Sequence, residues 1–312
     1  MRIPMLAAAG LVALLWGPAV AGQNSFAGRW NLTGTGSDAD HVYWLEITND
    51  AGTLTGMFLN RGGSPVRLAI VKVENGELIF QTGRADRPGP EFRARLEGGK
   101  LMGSVAEGSR TVTWVGVHPP AWPAANANGT HTYGAPIELF DGTSLDAWGV
   151  QNASKPIGWS VVDGTMTNSP PANNLVSRAR FKDFKIHAEY KLEKDSNSGI
   201  YLRGRYEMQV LEDFGKPPDV HSHMSIYAWV APMVNATRPL GEWQTTDVVL
   251  VGNKVSVVLN GQKVQDDATI QAITGGALDA DETAPGPLMI QGDHSKVWYR
   301  KVTVTPITKP GR

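Results

Sequence analysis

Short runs of alternating apolar and polar residues, cut every few positions by turn-forming pairs, constrain this chain more than any other feature. Between Phe26 and Val117 the runs are Val42–Thr48, Leu54–Leu59, Val66–Val73, Leu78–Thr82, Phe92–Leu96 and Thr111–Val117. The breaks are Asn49-Asp50-Ala51-Gly52, Asn60-Arg61-Gly62-Gly63, Asn75-Gly76 and Gly98-Gly99. Asn-Gly and Gly-Gly reach the positive φ that a tight hairpin needs, and a period of two puts alternate side chains on one face. Strands of this length and spacing predict a small antiparallel β meander or barrel over 26–117.

The same signals resume after a break. Residues 118–136, HPPAWPAANANGTHTYGAP, are rich in proline, alanine, asparagine and glycine and read as a linker, semi-extended where proline is dense. The other reading is a long loop inside one large sandwich. From 137 to 308 the runs Phe184–Leu192, Gly199–Arg203, Tyr206–Leu211, Asp247–Val251, Lys254–Leu259 and Lys296–Thr305 have β character, and Gly252-Asn253 and Asn260-Gly261 bracket one strand. No segment holds a helical period over ten residues. The fold class is therefore all-β: a two-sheet jelly-roll sandwich preceded by the smaller β domain.

The first residues read as an address. Arg2, the apolar run Met5–Trp16 and the small triplet Ala19-Val20-Ala21 have the layout of a signal peptide, residues 1–21, cleaved after Ala21. A membrane anchor is the alternative, but Pro18 interrupts the run and no basic stop-transfer cluster follows. The mature chain is expected to have no integral membrane span and to be periplasmic or secreted.

Composition excludes several chemistries. With no cysteine there is no disulfide, thiolate zinc site, iron–sulfur cluster or thiol nucleophile. Lys plus Arg number 29 against 30 for Asp plus Glu, a formal charge of −1, which gives no reason to expect nucleic acid as a partner. Function rests on carboxylates, amides, imidazoles and aromatic rings.

The densest polar stretch is 197–216, NSGIYLRGRYEMQVLEDFGK. On a strand, Glu207, Gln209, Leu211 and Asp213 share one face, with Tyr201 and Arg203 ahead of them in the same parity unless Gly204 introduces a bulge. That face is either solvated or lines a ligand cleft. Nearby aromatics (Trp148, Trp159, Tyr206, Tyr227, Trp229, Trp243, Trp298) include surfaces on which sugar rings could stack, although most aromatics simply fill cores. A second polar cluster holds Gln291, Asp293 and His294 at the end of the apolar run Leu288–Ile290. His221 and His223 form an H-x-H pair that binds a metal only with a third ligand. His41 stands alone.

The second half resembles the 3-keto-disaccharide hydrolase domain family, a concanavalin A-like jelly roll, over about residues 136–307. The resemblance is carried by an ordered set of segments: ELFDGTSLDAW (138–148), WSVVDGTM (159–166), FKDFKIHAEYKL (181–192), NSGIYLR (197–203), YEMQVLED (206–213), GEW (241–243), VVLNGQKV (257–264) and PLMIQGDHSKVWYRKVTV (287–304). It implies cleavage of glycosidic bonds in sugars oxidised to a ketone at carbon 3. Laminarinase-type jelly rolls place acids at i, i+2 and i+4 on one strand; here those positions read Glu207, Gln209 and Leu211, so the usual retaining mechanism lacks its second acid.

A 3-ketone changes the demand. It acidifies the proton on carbon 2, so removal of that proton gives an enolate that expels the leaving group from carbon 1, after which water adds back. One base, one acid and positive charge or a metal at the ketone oxygen suffice. The expected catalytic residues are Glu207, His294 and Arg203, and the expected substrate-binding residues Gln209, Tyr227, Trp243, Gln291 and Asp213. The resemblance allows a divalent metal without naming its ligands. The competing reading is a non-catalytic carbohydrate-binding jelly roll; a third is an ordinary endoglucanase.

Overall fold

The structure, a computed structural model, describes residues 22–311, and the expected leader at 1–21 lies outside them. Residues 28–117 form one nine-stranded antiparallel sheet. Its strands are β1 (Gly28–Gly34), β2 (Val42–Asp50), β3 (Thr53–Asn60), β4 (Val66–Arg67), β5 (Ile70–Glu74), β6 (Glu77–Arg84), β7 (Arg87–Glu97), β8 (Lys100–Glu107) and β9 (Arg110–Val117), in the spatial order β4-β3-β2-β1-β9-β8-β7-β6-β5. The glycine-bearing breaks sit at its hairpins, with Asn75 and Gly76 at φ 50° and 78° between β5 and β6. The sheet curls around Trp30, Leu32, Tyr43, Phe58, Phe80, Phe92 and Trp114, all buried.

Strand β2 shows how this unit meets the rest. Tyr43, Leu45 and Ile47 point into its own core, whereas Val42 and Trp44, with Leu59 of β3, belong to the core of the second half. Period two thus supplies two apolar faces, one closing the curled sheet and one docking it. Trp44 is fully buried and meets Trp229 edge-on at 4.9 Å between ring centroids.

The second half contains β10 (Thr132–Tyr133), β11 (Ile137–Phe140), β12 (Trp148–Val150), β13 (Trp159–Val162), β14 (Thr165–Asn168), β15 (Leu175–Phe181), β16 (Phe184–Leu192), β17 (Asn197–Leu202), β18 (Tyr206–Leu211), β19 (Trp243–Val251), β20 (Lys254–Leu259), β21 (Gln262–Thr269), β22 (Gly286–Ile290) and β23 (Val297–Lys309). One sheet runs β13-β14-β23-β16-β19-β20-β21, with β10 and β11 also on β23; the other runs β12-β15-β22-β17-β18. The two enclose the main core as a jelly-roll sandwich. Strand β16 displays the period cleanly, with Phe184, Ile186, Ala188, Tyr190 and Leu192 buried and the residues between them half-buried. No α-helix occurs among the described residues, and none of their helices is long and apolar enough to cross a membrane.

Residues 118–131, between the two units, have no regular secondary structure. They lie along the sandwich: Ala127 N–H donates to Asp267 Oδ1 at 2.7 Å, and the Arg203 guanidinium sits over the Trp122 ring.

Candidate functional site

The site is built on the β17–β18 hairpin. Leu202 pairs with Tyr206, Tyr201 with Glu207 and Gly199 with Gln209. One face of the hairpin therefore carries Ile200, Leu202, Tyr206, Met208 and Val210 into the core, and the other presents Gly199, Tyr201, Glu207 and Gln209. Segment 224–227 continues the sheet along β18, with Tyr227 N–H donating to the Glu207 carbonyl at 3.0 Å. Across β17, the end of β22 brings Gln291, whose N–H donates to the Gly199 carbonyl at 3.0 Å.

These elements floor a pocket of about 370 Å³ lined by Glu207, Gln209, Tyr201, Tyr227, Asn197, Gln291, Asp293 and His294, with Gln151 and Asn174 at its edge. Glu207 is 5% exposed, and burial pushes its carboxyl up to about 8; the neighbouring Tyr201 hydroxyl partly opposes that rise and the charge of Asp293 adds to it. Near neutral pH this carboxyl holds its proton. Gly199 leaves room for it, since a Cβ there would fall 2.4 Å from Glu207 Oε1. The Gln209 side-chain oxygen is buried with no protein partner, an acceptor left for something that enters the pocket. Asp293 Oδ1 lies 2.7 Å from His294 Nδ1, and a proton shared there leaves Nε2 as the basic nitrogen.

Five expected site residues, Glu207, Gln209, Tyr227, Gln291 and His294, line this one pocket. Three do not. Arg203 is not on the strand face: β17 ends at Leu202, and Arg203 and Gly204 turn the hairpin at φ 54° and 67°. The guanidinium is buried beneath the turn, 2.9 Å from Asp183 Oδ1. Asp213 lies beyond the end of β18 at Leu211, out of its alternation, where it accepts from His223 N–H at 2.8 Å and from the Asn235 side chain at 3.1 Å. Trp243 opens β19 in the opposite sheet, where Arg300 stacks on it at 4.5 Å and Lys191 at 5.4 Å.

The H-x-H pair divides between two environments. His223 is buried with Nε2 2.6 Å from the Tyr190 hydroxyl, and burial lowers its pKa; His221 Nε2 lies 2.8 Å from Ser64 Oγ. No set of three His, Asp or Glu side chains is arranged to hold a metal ion among the described residues. The carboxylates and imidazole at the pocket, Glu207, Asp293 and His294, form no such set, so the donors there do not fit the metal that the resemblance allows. Most of the aromatics are structural: Trp148 and Trp159 donate their indole N–H groups to the Leu139 and Asn173 carbonyls at 2.8 and 2.7 Å.

Gln151 and Asn174 are lone amides in loops and carry no pattern, and Asn197, which opens β17, was not distinguished within the polar stretch by its spacing. Asp293 was visible beside His294.

A buried carboxyl at the floor of an amide-rimmed pocket on a jelly-roll sheet places the chain among glycosyl-hydrolase-like, carbohydrate-active proteins. Residues 135–305 match the 3-keto-alpha-glucoside-1,2-lyase-like domain, and the chain belongs to that family. A 3-keto-disaccharide hydrolase from Bacteroides thetaiotaomicron is 21% identical over 164 residues, which cover 41% of this chain and 57% of that protein. The chain thus matches less than two thirds of this curated relative's length. A crystal structure of a candidate glycosyl hydrolase from Parabacteroides distasonis is 26% identical, with a TM-score of 0.50, covering 61% of this chain and 94% of that one. A second from the same organism is 21% identical, with a TM-score of 0.48, covering 55% and 94%. The strands of the N-terminal sheet lie outside the family match.

Proposed function

We propose that the protein is an exported enzyme, periplasmic or secreted, that cleaves 3-keto-glycosides by elimination across carbons 1 and 2 followed by hydration. The single observation that carries this reading is the pairing in one pocket of a carboxyl that keeps its proton near neutrality with a histidine whose other nitrogen is held by a carboxylate. His294 Nε2 takes the proton from carbon 2, and the C–H electron pair passes into the enolate of the 3-ketone. The enolate collapses with cleavage of the bond from carbon 1 to the glycosidic oxygen, and Glu207 gives its proton to that departing oxygen. The leaving group departs as an alcohol and the sugar remains as an enone. Water then adds its oxygen to carbon 1 while Glu207 recovers a proton from it, and the proton held by His294 returns to carbon 2. The balance is hydrolysis with both groups restored.

Neutral donors stabilise the enolate oxygen, because Arg203 is committed to Asp183. Asn197 and Gln291 amides and the Tyr227 hydroxyl line the pocket and supply them. Asp293, paired with His294, orients the base and stabilises it when it becomes an imidazolium.

The test is incubation of the full chain with a 3-keto-disaccharide and with its unoxidised parent, with and without a chelator. Release of sugar from the keto form alone is expected. Equal cleavage of the parent would replace this reading with an ordinary glycosidase, and binding without cleavage of either would replace it with a carbohydrate-binding module.

A further inference from the structure

The pocket over Glu207 does not close on residues of the jelly roll alone. Gly62 and Gly63, from the loop between β3 and β4 of the N-terminal sheet, are part of its lining. The same loop borders a second, larger chamber of about 770 Å³, whose lining includes Asp40, Arg61, Asn152 and Lys155. Five residues, Gly62, Gln151, Asn174, Gly276 and Asp293, line both spaces, so the two adjoin along one groove wall. Each volume falls in the range of about 300–1,000 Å³ that small-ligand sites occupy.

The loop is seated there by backbone contact. Gly276 N–H donates to the Arg61 carbonyl at 2.7 Å, and a Cβ on Gly275 would fall 2.5 Å from the Gly63 carbonyl oxygen. Ser64 Oγ meets His221 Nε2 at 2.8 Å, next to the ring of Tyr227, which His221 approaches edge-on at 5.1 Å. Behind the loop, Leu59 and Trp44 are buried in the sandwich core, and Asn31 donates to the buried Glu282 at 2.7 Å. The wall is therefore fixed, and Arg61, exposed on it, borders the groove.

We propose that the N-terminal sheet is part of the substrate site: its 61–64 loop walls the chamber that holds the leaving group, and Arg61 grips that group through its hydroxyls. This rests on the reading that bond cleavage occurs over Glu207. The chamber is lined by amides, by charges of both signs and by the aliphatic Val42, Ala153, Ala172, Ala277 and Leu278, and among the described residues no aromatic ring lines it. Such a wall suits a leaving group rich in hydroxyls, a sugar or polyol, and gives a flat aromatic one nothing to stack on. Arg61 is a specificity residue here, remote from the bonds that change.

The experiment compares the full chain with its Arg61→Ala and Arg61→Lys variants on two substrates that differ only in the leaving group. Methyl 3-keto-α-glucoside releases methanol and needs only the inner pocket; 3-ketomaltose releases glucose and needs both. Arg61→Ala is expected to raise KM for 3-ketomaltose about tenfold or more, the loss of a charge-assisted hydrogen bond, and to leave the methyl glycoside within about twofold. Arg61→Lys should recover part of the loss. Truncation leaves the Arg61 carbonyl and its bond from Gly276 in place, so the melting temperature should hold. An unchanged KM for 3-ketomaltose, or an equal effect on both substrates, overturns the proposal. If the parent chain cleaves neither substrate, the catalytic reading fails separately, and calorimetric binding of maltose against methyl α-glucoside reads the chamber instead. Selective weakening of maltose by Arg61→Ala then supports the proposal; equal weakening, or no maltose binding by the parent chain, overturns it.

Discussion

Glu207 holds the balance between stability and chemistry at the residue scale. Its carboxyl is raised to about 8 chiefly by burial, against about 4.3 in an unfolded chain. The folded state therefore keeps a proton that the unfolded chain releases between those values. This group's contribution to stability is fully present below the unfolded pKa and is lost as pH rises through about 8. Glu207→Gln removes the titration while keeping the volume. It is expected to raise the melting temperature relative to the parent chain at pH 8.5 and to change it little at pH 5, a difference that scanning calorimetry at the two pH values would reveal. Turnover of a 3-keto-disaccharide by the same variant should fall about 10²–10⁴-fold, the usual cost of losing a general acid. In the parent chain, turnover should decline as pH passes through about 8, because the acid has then lost its proton. A flat profile to pH 9.5 would take Glu207 out of the acid role.

The β17–β18 hairpin decides at the element scale which polar groups meet. Its register sets Gly199 diagonally across from Glu207, and the missing side chain at 199 is the space the carboxyl occupies. Gly199→Ala should push Glu207 off its position and lower kcat about tenfold or more with little change in KM, as a steady-state comparison would show; an unaltered kcat would mean the carboxyl has slack. The turn of the hairpin has the opposite character. Arg203 is 1% exposed and bonded to Asp183, which also accepts from Gly252 N–H at 2.8 Å. Removing one partner of a buried ion pair leaves the other uncompensated, so Arg203→Ala should cost about 3–5 kcal/mol in urea unfolding. Whatever variant remains folded should keep its kcat, the reverse of what an oxyanion-binding arginine would give.

The two β units share buried residues at the scale of the whole molecule. Each has its own core, but Val42, Trp44 and Leu59 of the N-terminal sheet are buried in the core of the sandwich. The buried Asn31–Glu282 bond crosses the same junction, with Glu282 also accepting from the Tyr206 hydroxyl at 2.6 Å. Trp44→Ala should destabilise the chain by about 3–5 kcal/mol, the range for emptying a site that large. Because the lost contact is the one joining the units, it should also split a single unfolding transition into two in calorimetry. A variant that still unfolds in one step would place the coupling elsewhere.

The amino-acid sequence by itself determined what depends on neighbours along the chain. Period-two alternation and Asn-Gly or Gly-Gly turns specify strands and hairpins locally, so the all-β class could be read directly. For the same reason Glu207 and Gln209, two residues apart, had to share a face. Gln291 and His294 were likewise visible as a polar break ending an apolar run. What lay beyond reach depended on where chain segments meet. Whether Arg203 continued a strand or turned a hairpin was decided by the pairing of Leu202 with Tyr206, which packing of both residues into the sandwich core enforces. Asp213 and Trp243 were misplaced by the same ignorance of strand ends and of sheet membership. Arg61, Gln151 and Asn174 reach the groove from three loops distant in sequence. Only burial of the apolar outer face of β2 and β3 against the sandwich brings the first of these to the other two, and no local pattern records a contact that the hydrophobic effect makes between elements.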